Sequence, residues 1–311
     1  MPGSGDVPRM GNARLAGPET MANHETMMTI PAVAASRDVQ RDPMSLFSSA
    51  VHRLSRSIIC GIVRHVVCCV LAGLVSAAQT SAATAAPQSA GTARVRTRTY
   101  FFKEAGHNSD YKLFVSTRYQ AGVPAPLVVA LHPFGTAPQG IMLYQGLLDL
   151  ADARGYVVVA PSGHNPRAWY GSGGELSEQD VLNVLAAVRE QYTIDPARVY
   201  LMGHSMGGGA TWYFGIKYPD IWAALAPVAP AISSSPDALA AIANTPVIVV
   251  QGDADRSVTV EATRRWVTKM KELGMTYEYV EVPGGDHTSI ISRSPENMKR
   301  IFDYFDKARR K

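Results

Sequence analysis

Cysteine is scarce in this sequence and is confined to its N-terminal part. The chain has 311 residues and three cysteines, Cys60, Cys68 and Cys69. Residues 87–311 contain none, which excludes a disulfide, a thiolate metal site or a cysteine nucleophile there. The glycine run Gly207–Gly209 is followed by alanine and not by the Lys-Ser/Thr pair that a phosphate-binding loop requires. We also find no cluster with metal-ligand spacing, so the sequence predicts chemistry without a cofactor or a metal.

The sequence also lacks an excess of charge of one sign. Residues 87–311 carry 23 Lys and Arg against 21 Asp and Glu, spread along the chain. A net charge of about +2 gives no reason to expect a nucleic-acid partner or binding to an anionic membrane. Nothing in the composition indicates the oligomeric state.

The first 86 residues differ in composition from the rest of the chain. Residues 1–43 are rich in Gly, Pro, Ala, Ser and Met, which predicts disorder, and Met44 begins a more usual leader, so we expect the true start at Met44. Residues 44–86 contain a basic segment, a short apolar run at 66–75 and then small residues, which is the order of a secretory signal peptide. The sequence therefore predicts an exported protein, periplasmic or secreted, with an uncleaved membrane anchor as the alternative.

Strand-like and helix-like segments alternate through residues 87–311, which are enough for one domain. Val95–Phe102 and Tyr111–Ser116 are a predicted antiparallel opening pair around a turn at 106–109. Later strands such as Pro126–Leu131 are apolar throughout, as expected when both faces of a sheet are covered. This pattern predicts an α/β fold, a mainly parallel sheet with helices on both faces, and no large lid domain.

The segment Gly203–Gly207 has a serine, Ser205, between two glycines. A short β-favouring stretch, Arg198–Met202, precedes it, and an apolar helical segment follows. Strand, sharp turn and helix around G-x-S-x-G are the context of a nucleophile elbow, in which side chains next to the serine would obstruct packing. The pattern therefore predicts that Ser205 is a catalytic nucleophile.

A serine nucleophile requires a general base and an acid that orients it. In this kind of sheet both follow the serine, and His287 is the only histidine after Ser205. The loop after a predicted strand holds two candidate acids, Asp253 and Asp255, and we favour Asp255 because it lies further into the loop. Asp286 adjoins the base in sequence and is interpreted as structural.

Two backbone amides are expected to bind the oxyanion of the tetrahedral intermediate. One is Met206, directly after the serine, and the other is Phe134, because Pro133 has no amide hydrogen. Trp169 and Tyr170 lie in a loop on the same sheet edge. They are candidates for a substrate platform, and the alternative is that they pin this loop to the core.

With these elements in this order, the chain resembles the α/β-hydrolase superfamily. Leu131–Gly135 looks like the oxyanion loop of that family, and Gly252–Val258 is similar to its acid loop, in which the third residue after the glycine, here Asp255, is the acid. Ile194–Tyr200 looks like the prolyl-oligopeptidase-related and the secreted depolymerase and feruloyl-esterase-like branches. The sequence departs from the family in two ways: Pro133 replaces the usual glycine, and there is no propeller domain.

The resemblance and the residues together predict an exported serine hydrolase with no cofactor. It would cleave carboxylic esters through an acyl-enzyme, and the lack of a lid suggests an open site that admits small-molecule esters as well as bulky or polymer-linked ones. The alternatives are a small serine peptidase of the prolyl-oligopeptidase type and a non-catalytic binding protein that keeps the fold.

Overall fold

The computed structural model describes residues 91, 94–165, 167, 169–170 and 175–310. All of them belong to one unit, Thr80–Lys311. The predicted disorder at 1–43 and the predicted signal peptide at 44–86 lie outside the described residues. Within the described part of the chain, no helix has the length and apolarity needed to cross a membrane.

The described residues contain the strands β1 Arg96–Phe102, β2 His107–Val115, β3 Ala125–Leu131, β4 Val157–Ala160, β5 Ile194–His204, β6 Ala224–Val228, β7 Val247–Gly252 and β8 Tyr277–Val282. These eight strands form a single sheet in the order β1-β2-β4-β3-β5-β6-β7-β8. The first two strands pair antiparallel with each other, and β2 pairs antiparallel with β4, whereas all neighbours from β4 to β8 are parallel. This confirms the predicted mainly parallel sheet with antiparallel opening strands.

The turn of the opening pair lies earlier than predicted. It occupies residues 103–106, and Asn108 already pairs with Phe101 in the ladder. Gly106 has φ +71 and its N–H donates to the carbonyl of Phe102, so the glycine completes the turn instead of starting it.

Helices cover both faces of the sheet, as predicted. They are α1 Pro138–Met142, α2 Leu147–Arg154, α3 Glu175–Gln191, α4 Met206–Lys217, α5 Val260–Glu272, α6 Ser289–Ser292 and α7 Pro295–Lys307, with a 3-10 helix at Pro236–Ile242. One core layer is formed with α3, α4 and α5, and the other with α1, α2, α6 and α7. The interior strands β3 and β7 are buried along their whole length because helices lie over both of their faces.

Candidate active site

Ser205 lies in a sharp turn between β5 and α4, at the carboxyl edge of the parallel sheet. Its backbone has φ 58 and ψ −114, a conformation that is unfavourable for a residue with a side chain. Hydrogen bonds hold this turn: the N–H of Ser205 donates to the carbonyl of Val228, and its own carbonyl accepts from the N–H groups of Gly209 and Ala231, each at 2.9 Å. The turn therefore presents the serine hydroxyl above the sheet edge.

The two glycines of the pentapeptide are required by close backbone contacts. A Cβ atom on Gly203 would lie 2.1 Å from the carbonyl oxygen of Gly207, and one on Gly207 would lie 2.1 Å from the carbonyl oxygen of Leu131. Any larger side chain would push the helix away from the strands. The glycine spacing in the sequence is thus the consequence of how tightly α4 packs against β5 and β3.

The structure brings Ser205, His287 and Asp255 together in one chain of hydrogen bonds. The Oγ of Ser205 lies 2.8 Å from Nε2 of His287, and Nδ1 of His287 lies 2.7 Å from Oδ2 of Asp255. A carboxylate only accepts, so Nδ1 carries the proton and Nε2 is free to accept from the serine hydroxyl. This is the protonation pattern that a general base for serine requires.

Asp255 is fixed by its own loop. Its side chain is 0% exposed, and Oδ1 accepts from the N–H groups of Ser257 and Val258 at 2.8 and 2.9 Å. The amide of Gln251 donates to Oδ2 at 3.1 Å, beside the bond from His287. Hydrogen bonds therefore hold both carboxylate oxygens in place, and Oδ2 faces the histidine.

The other two acidic candidates hold the loops and do not touch the imidazole. Oδ1 of Asp253 accepts from the N–H of Gly284 at 2.6 Å and so joins the acid loop to the histidine loop. Asp286 accepts from the backbone N–H groups of Thr288 and Ser289 and from the hydroxyl of Ser289, and these bonds lower the pKa of Asp286 to about 2. Asp286 therefore holds the turn that leads from the histidine into α6.

The two predicted oxyanion donors are backbone amides at the start of α4 and in the loop after β3. Met206 is the first residue of α4, where backbone N–H groups have no partner within the helix. Phe134 lies in a turn closed by a bond from Thr136 N–H to the carbonyl of Pro133, with Gly135 at φ +72. This turn does not use the N–H of Phe134. The role of both amides stays a prediction.

His132 supports the loop after β3, which carries Phe134. It is buried, and its Nε2 lies 3.0 Å from the carbonyl of Ser162, in the loop after β4. Its Nδ1 lies 3.0 Å from the carbonyl of Pro133. The two loops that border the site from β3 and β4 are thus joined by one imidazole.

The two aromatic candidates of the β4 loop lie in different environments. Trp169 is 41% exposed and its ring centroid lies 6.1 Å from that of Phe134, which is 48% exposed. Tyr170 is only 4% exposed and packs against the rings of His132 and Phe214. Trp169 therefore faces solvent with Phe134, whereas Tyr170 packs into the core and also lines the cavity next to Met206. A substrate-binding role for either residue stays a prediction.

A cavity of about 190 Å³ lies along α4, and Met206, the residue after the nucleophile, is part of its wall. The rest of the wall comes from α4 as far as Lys217, from the loop after β6 and from the β4 loop, and it includes Gly209, Ala210, Trp212, Ile232, Trp169 and Tyr170. These walls are largely apolar. Such a space next to an elbow serine suits an apolar acyl or leaving group.

Residues 94–165 and 175–310 hold no group of three or more His, Cys, Asp or Glu side chains arranged to bind a metal ion.

Three polar residues behind the site were not predicted from the sequence: Gln251, His204 and Tyr144. Gln251 is polar within an otherwise apolar strand, and this is a signal that could have indicated a buried partner. Tyr144 gives no such signal, because only the folded chain brings it to the site.

Two protein-family models match overlapping parts of the chain. The model described as serine aminopeptidase, S33, matches residues 152–244, and the model of the prolyl oligopeptidase family matches residues 231–311. Among solved structures, a thermostable esterase superposes with a TM-score of 0.59 at 25% identity, covering 71% of this chain and 64% of that one. The chain has the α/β-hydrolase fold.

Named relatives of this α/β-hydrolase are esterases and depolymerases. Feruloyl esterase B of Thermothelomyces thermophilus is 30% identical over 39% of this chain and 45% of its own length. The bifunctional acetylxylan esterase/xylanase of Neocallimastix patriciarum is 29% identical over 42% of this chain and 19% of its own length. Poly(3-hydroxyalkanoate) depolymerase C of Paucimonas lemoignei is 32% identical over 35% of this chain and 29% of its own length.

The α/β-hydrolase spans less than half the length of each of these relatives. A ferulic acid esterase from Anaeromyces mucronatus, solved in complex with ferulic acid, superposes with a TM-score of 0.56 at 16% identity, covering 69% of this chain and 90% of that one. At that identity the likeness is one of fold.

Proposed function

We propose that this α/β-hydrolase is a serine esterase that cleaves carboxylic esters through an acyl-enzyme. The observation that carries the proposal is the unbroken chain of hydrogen bonds from Asp255 through His287 to a serine held in a strained turn. A structural serine needs neither a buried carboxylate–imidazole pair nor a positive φ.

The residues define the steps of the reaction. Oγ of Ser205 attacks the ester carbonyl carbon while its proton passes to Nε2 of His287, and the Asp255 carboxylate stabilises the resulting imidazolium. The amides of Met206 and Phe134 bind the carbonyl oxygen as it becomes negative. The tetrahedral intermediate then collapses, and the leaving alkoxide takes the proton from His287. Water attacks the acyl-enzyme in the same way, releasing the acid and returning the proton to Ser205.

The surroundings of the serine favour a bulky or polymer-linked ester. The cavity beside Met206 offers about 190 Å³ to an apolar group, and Phe134 with Trp169 offers an exposed aromatic surface next to it. An aromatic surface open to solvent suits a sugar ring or an extended polymer better than a small ester. The named relatives include enzymes of xylan, feruloyl esters and polyesters, which supports this class.

Labelling with a fluorophosphonate probe, together with a panel of p-nitrophenyl esters, tests the activity. We expect the purified protein to be labelled at Ser205 and to hydrolyse the esters, and Ser205→Ala to do neither. A protein that is neither labelled nor active would instead be a binding protein with this fold, and equal labelling after Ser205→Ala would remove Ser205 as the nucleophile.

A peptidase is the second candidate, because both family models that match the chain are named after peptidases. The same acyl-enzyme chemistry cleaves amides when the site also protonates an amine leaving group. A panel of aminoacyl p-nitroanilides beside the ester panel separates the two. We expect ester cleavage to dominate, and cleavage of the anilides alone would replace the esterase with a peptidase.

Export is part of the proposal and rests on the sequence of residues 44–86, with its basic segment, apolar run and small residues. A polymer outside the cell is too large to be taken up, so a polymer-linked substrate there requires an exported enzyme. Fractionation of cells that produce the full chain, with N-terminal sequencing of the product, tests it. We expect mature protein outside the cytoplasm, and protein retained in the membrane would favour the uncleaved anchor.

A further inference from the structure

Two buried side chains that the proposed reaction does not use lie directly behind the base. His204, the last residue of β5, is 2% exposed, and Tyr144, between α1 and α2, is 9% exposed. Oη of Tyr144 lies 2.6 Å from Nδ1 of His204, and Nε2 of His204 lies 2.8 Å from the backbone carbonyl oxygen of His287. Tyr144, His204 and His287 thus form a second chain of hydrogen bonds, separate from the one through Asp255.

The direction of each bond follows from the chemistry of the groups. The carbonyl oxygen of His287 can only accept, so Nε2 of His204 carries the proton and donates. Burial lowers the pKa of His204 to about 4 and raises that of the Tyr144 hydroxyl, so both are neutral near pH 7. The bare Nδ1 of His204 therefore accepts from the hydroxyl of Tyr144, which fixes the tautomer that donates to His287.

The contacts hold the histidine loop from two sides. The ring of His204 lies against the ring of His287, with centroids 4.9 Å apart. The residue next to Tyr144, Gln145, donates its N–H to the carbonyl of Ser292 at 3.1 Å, at the end of α6. The turn that carries Tyr144 is therefore bonded to the chain just after the base as well as to His204.

His204 also precedes the nucleophile directly. Because His204 and Ser205 are consecutive residues at the end of β5, the strand that carries the serine also carries the anchor of the base. The distance from Ser205 to His287 is thus fixed by one short covalent segment and one hydrogen bond. His204 is only 2% exposed, and a hydrogen bond that is shielded from water is stronger than one in water.

We propose that His204, held in its tautomer by Tyr144, is a positioning residue that fixes the backbone of His287 and so sets the separation between Nε2 of His287 and Oγ of Ser205. The proposal rests on the proposed function, in which His287 is the base. When His287 takes the serine proton, neutral His204 adds no second positive charge beside it. The N–H of His204 holds the histidine loop in place while His287 is an imidazolium.

Four variants test this positioning role. His204→Leu removes the donor, His204→Gln keeps an N–H donor near the place of Nε2, and Tyr144→Phe removes only the hydroxyl that fixes the tautomer. Tyr200→Phe is the matched control, because Tyr200 is buried in β5, the strand of His204. Its hydroxyl donates to the carbonyl of Ala308 at 2.8 Å, outside the site.

Steady-state kinetics on a soluble p-nitrophenyl ester, the rate of fluorophosphonate labelling and urea unfolding are measured for each variant. We expect His204→Leu to lower kcat and the labelling rate about 100-fold, the size of loss that a misplaced catalytic group produces, with KM changed less than about 3-fold. His204→Gln should recover most of this loss, Tyr144→Phe should lose about 10-fold, and Tyr200→Phe should keep wild-type kcat.

The outcomes separate this proposal from the proposed function. Wild-type protein that is neither labelled nor active overturns both. Wild-type protein labelled at Ser205, with folded His204→Leu labelled as fast, overturns only the positioning role. The role is also wrong if folded His204→Gln is as slow as folded His204→Leu, or if Tyr144→Phe keeps full kcat. If His204→Leu does not fold, the Gln and Phe variants decide the question.

Discussion

The carboxylate of Asp253 accepts a hydrogen bond from the backbone N–H of Gly284 at 2.6 Å and so ties the acid loop to the histidine loop. Asp255, two residues later, instead accepts from the imidazole of His287 at 2.7 Å. Two aspartates of one loop therefore have different tasks: one holds the loops together, and the other directs the base.

This difference predicts unequal effects of the same substitution. Asp255→Asn replaces an acceptor with a group that can donate to Nδ1 of His287, which favours the wrong tautomer, so we expect kcat to fall by ~10²–10⁴-fold. Asp253→Asn keeps an oxygen that accepts from Gly284, and we expect kcat within about 3-fold of wild type. Ester hydrolysis by the two purified variants measures this. Equal losses would remove Asp255 as the orienting acid.

Trp169 predicts a difference between polymer-linked and small esters. Removing its exposed ring with Trp169→Ala takes away the partner of Phe134, and such aromatic contacts contribute ~0.5–1.5 kcal/mol each. We expect KM for a polymer-linked ester to rise about 10-fold at most, while turnover of p-nitrophenyl acetate stays unchanged.

Phe101→Ala is the matched control for that variant, because Phe101 is an exposed aromatic residue on β1, outside the site. It should leave both substrates unaffected. An equal loss on both substrates for Trp169→Ala would mean that the tryptophan supports the loop and does not bind a polymer.

The close packing at Gly207 predicts that adding one methyl group there greatly lowers the stability of the folded chain. In Gly207→Ala the new Cβ would lie 2.1 Å from the carbonyl oxygen of Leu131, so α4 must move away from β3, and we expect a loss of ~3 kcal/mol in the free energy of unfolding. Gly274→Ala is the control, since Gly274 has φ +63 but no atom within 4 Å of the added Cβ, and it should lose only ~1 kcal/mol. Urea unfolding compares the two. Similar losses in both variants would contradict the close packing at the elbow.

The buried His204 predicts that stability falls in mild acid. Its pKa is about 4 in the folded chain, against an ordinary value of 6.5, so the unfolded chain binds more protons between these values. The contribution of neutral His204 to the free energy of unfolding is complete above pH 6.5. It is lost as the pH falls towards 4, and the loss is ~3 kcal/mol at most. Urea unfolding from pH 7 to pH 4 should give a steeper decline for wild type than for His204→Gln, and parallel declines would show that His204 does not titrate in this way.

The elements that could be predicted from the sequence are those whose physical requirements are local. The elbow needs Gly203 and Gly207 because backbone atoms approach the serine turn closely, and this requirement is visible in five consecutive residues. The parallel sheet follows from apolar strands such as β3, and the order of Ser205, Asp255 and His287 follows from the topology of that sheet.

The remaining features depend on contacts between distant parts of the chain. Tyr144 meets His204 across 60 residues, and neither residue type indicates the other. The sequence could not decide whether Tyr170 faces substrate or core, because an aromatic pair in a loop suits both, and the folded chain separates Trp169 from Tyr170 by burial alone. The sequence predicts the first turn at 106–109, later than its observed place at 103–106, because Asn and Ser favour turns. In the folded chain Asn108 and Ser109 instead lie in the strand ladder, opposite Phe101 and Tyr100.

The hydrogen bond between Ser205 and His287 joins residues 82 positions apart. The acid and the base arrive with β7 and β8, the last two strands of the chain and of the sheet order. An unfinished chain that has folded only through β6 would therefore present a serine with no base. We expect such intermediates to be chemically inert, so the hydrolytic activity switches on only when the C-terminal edge of the sheet has docked.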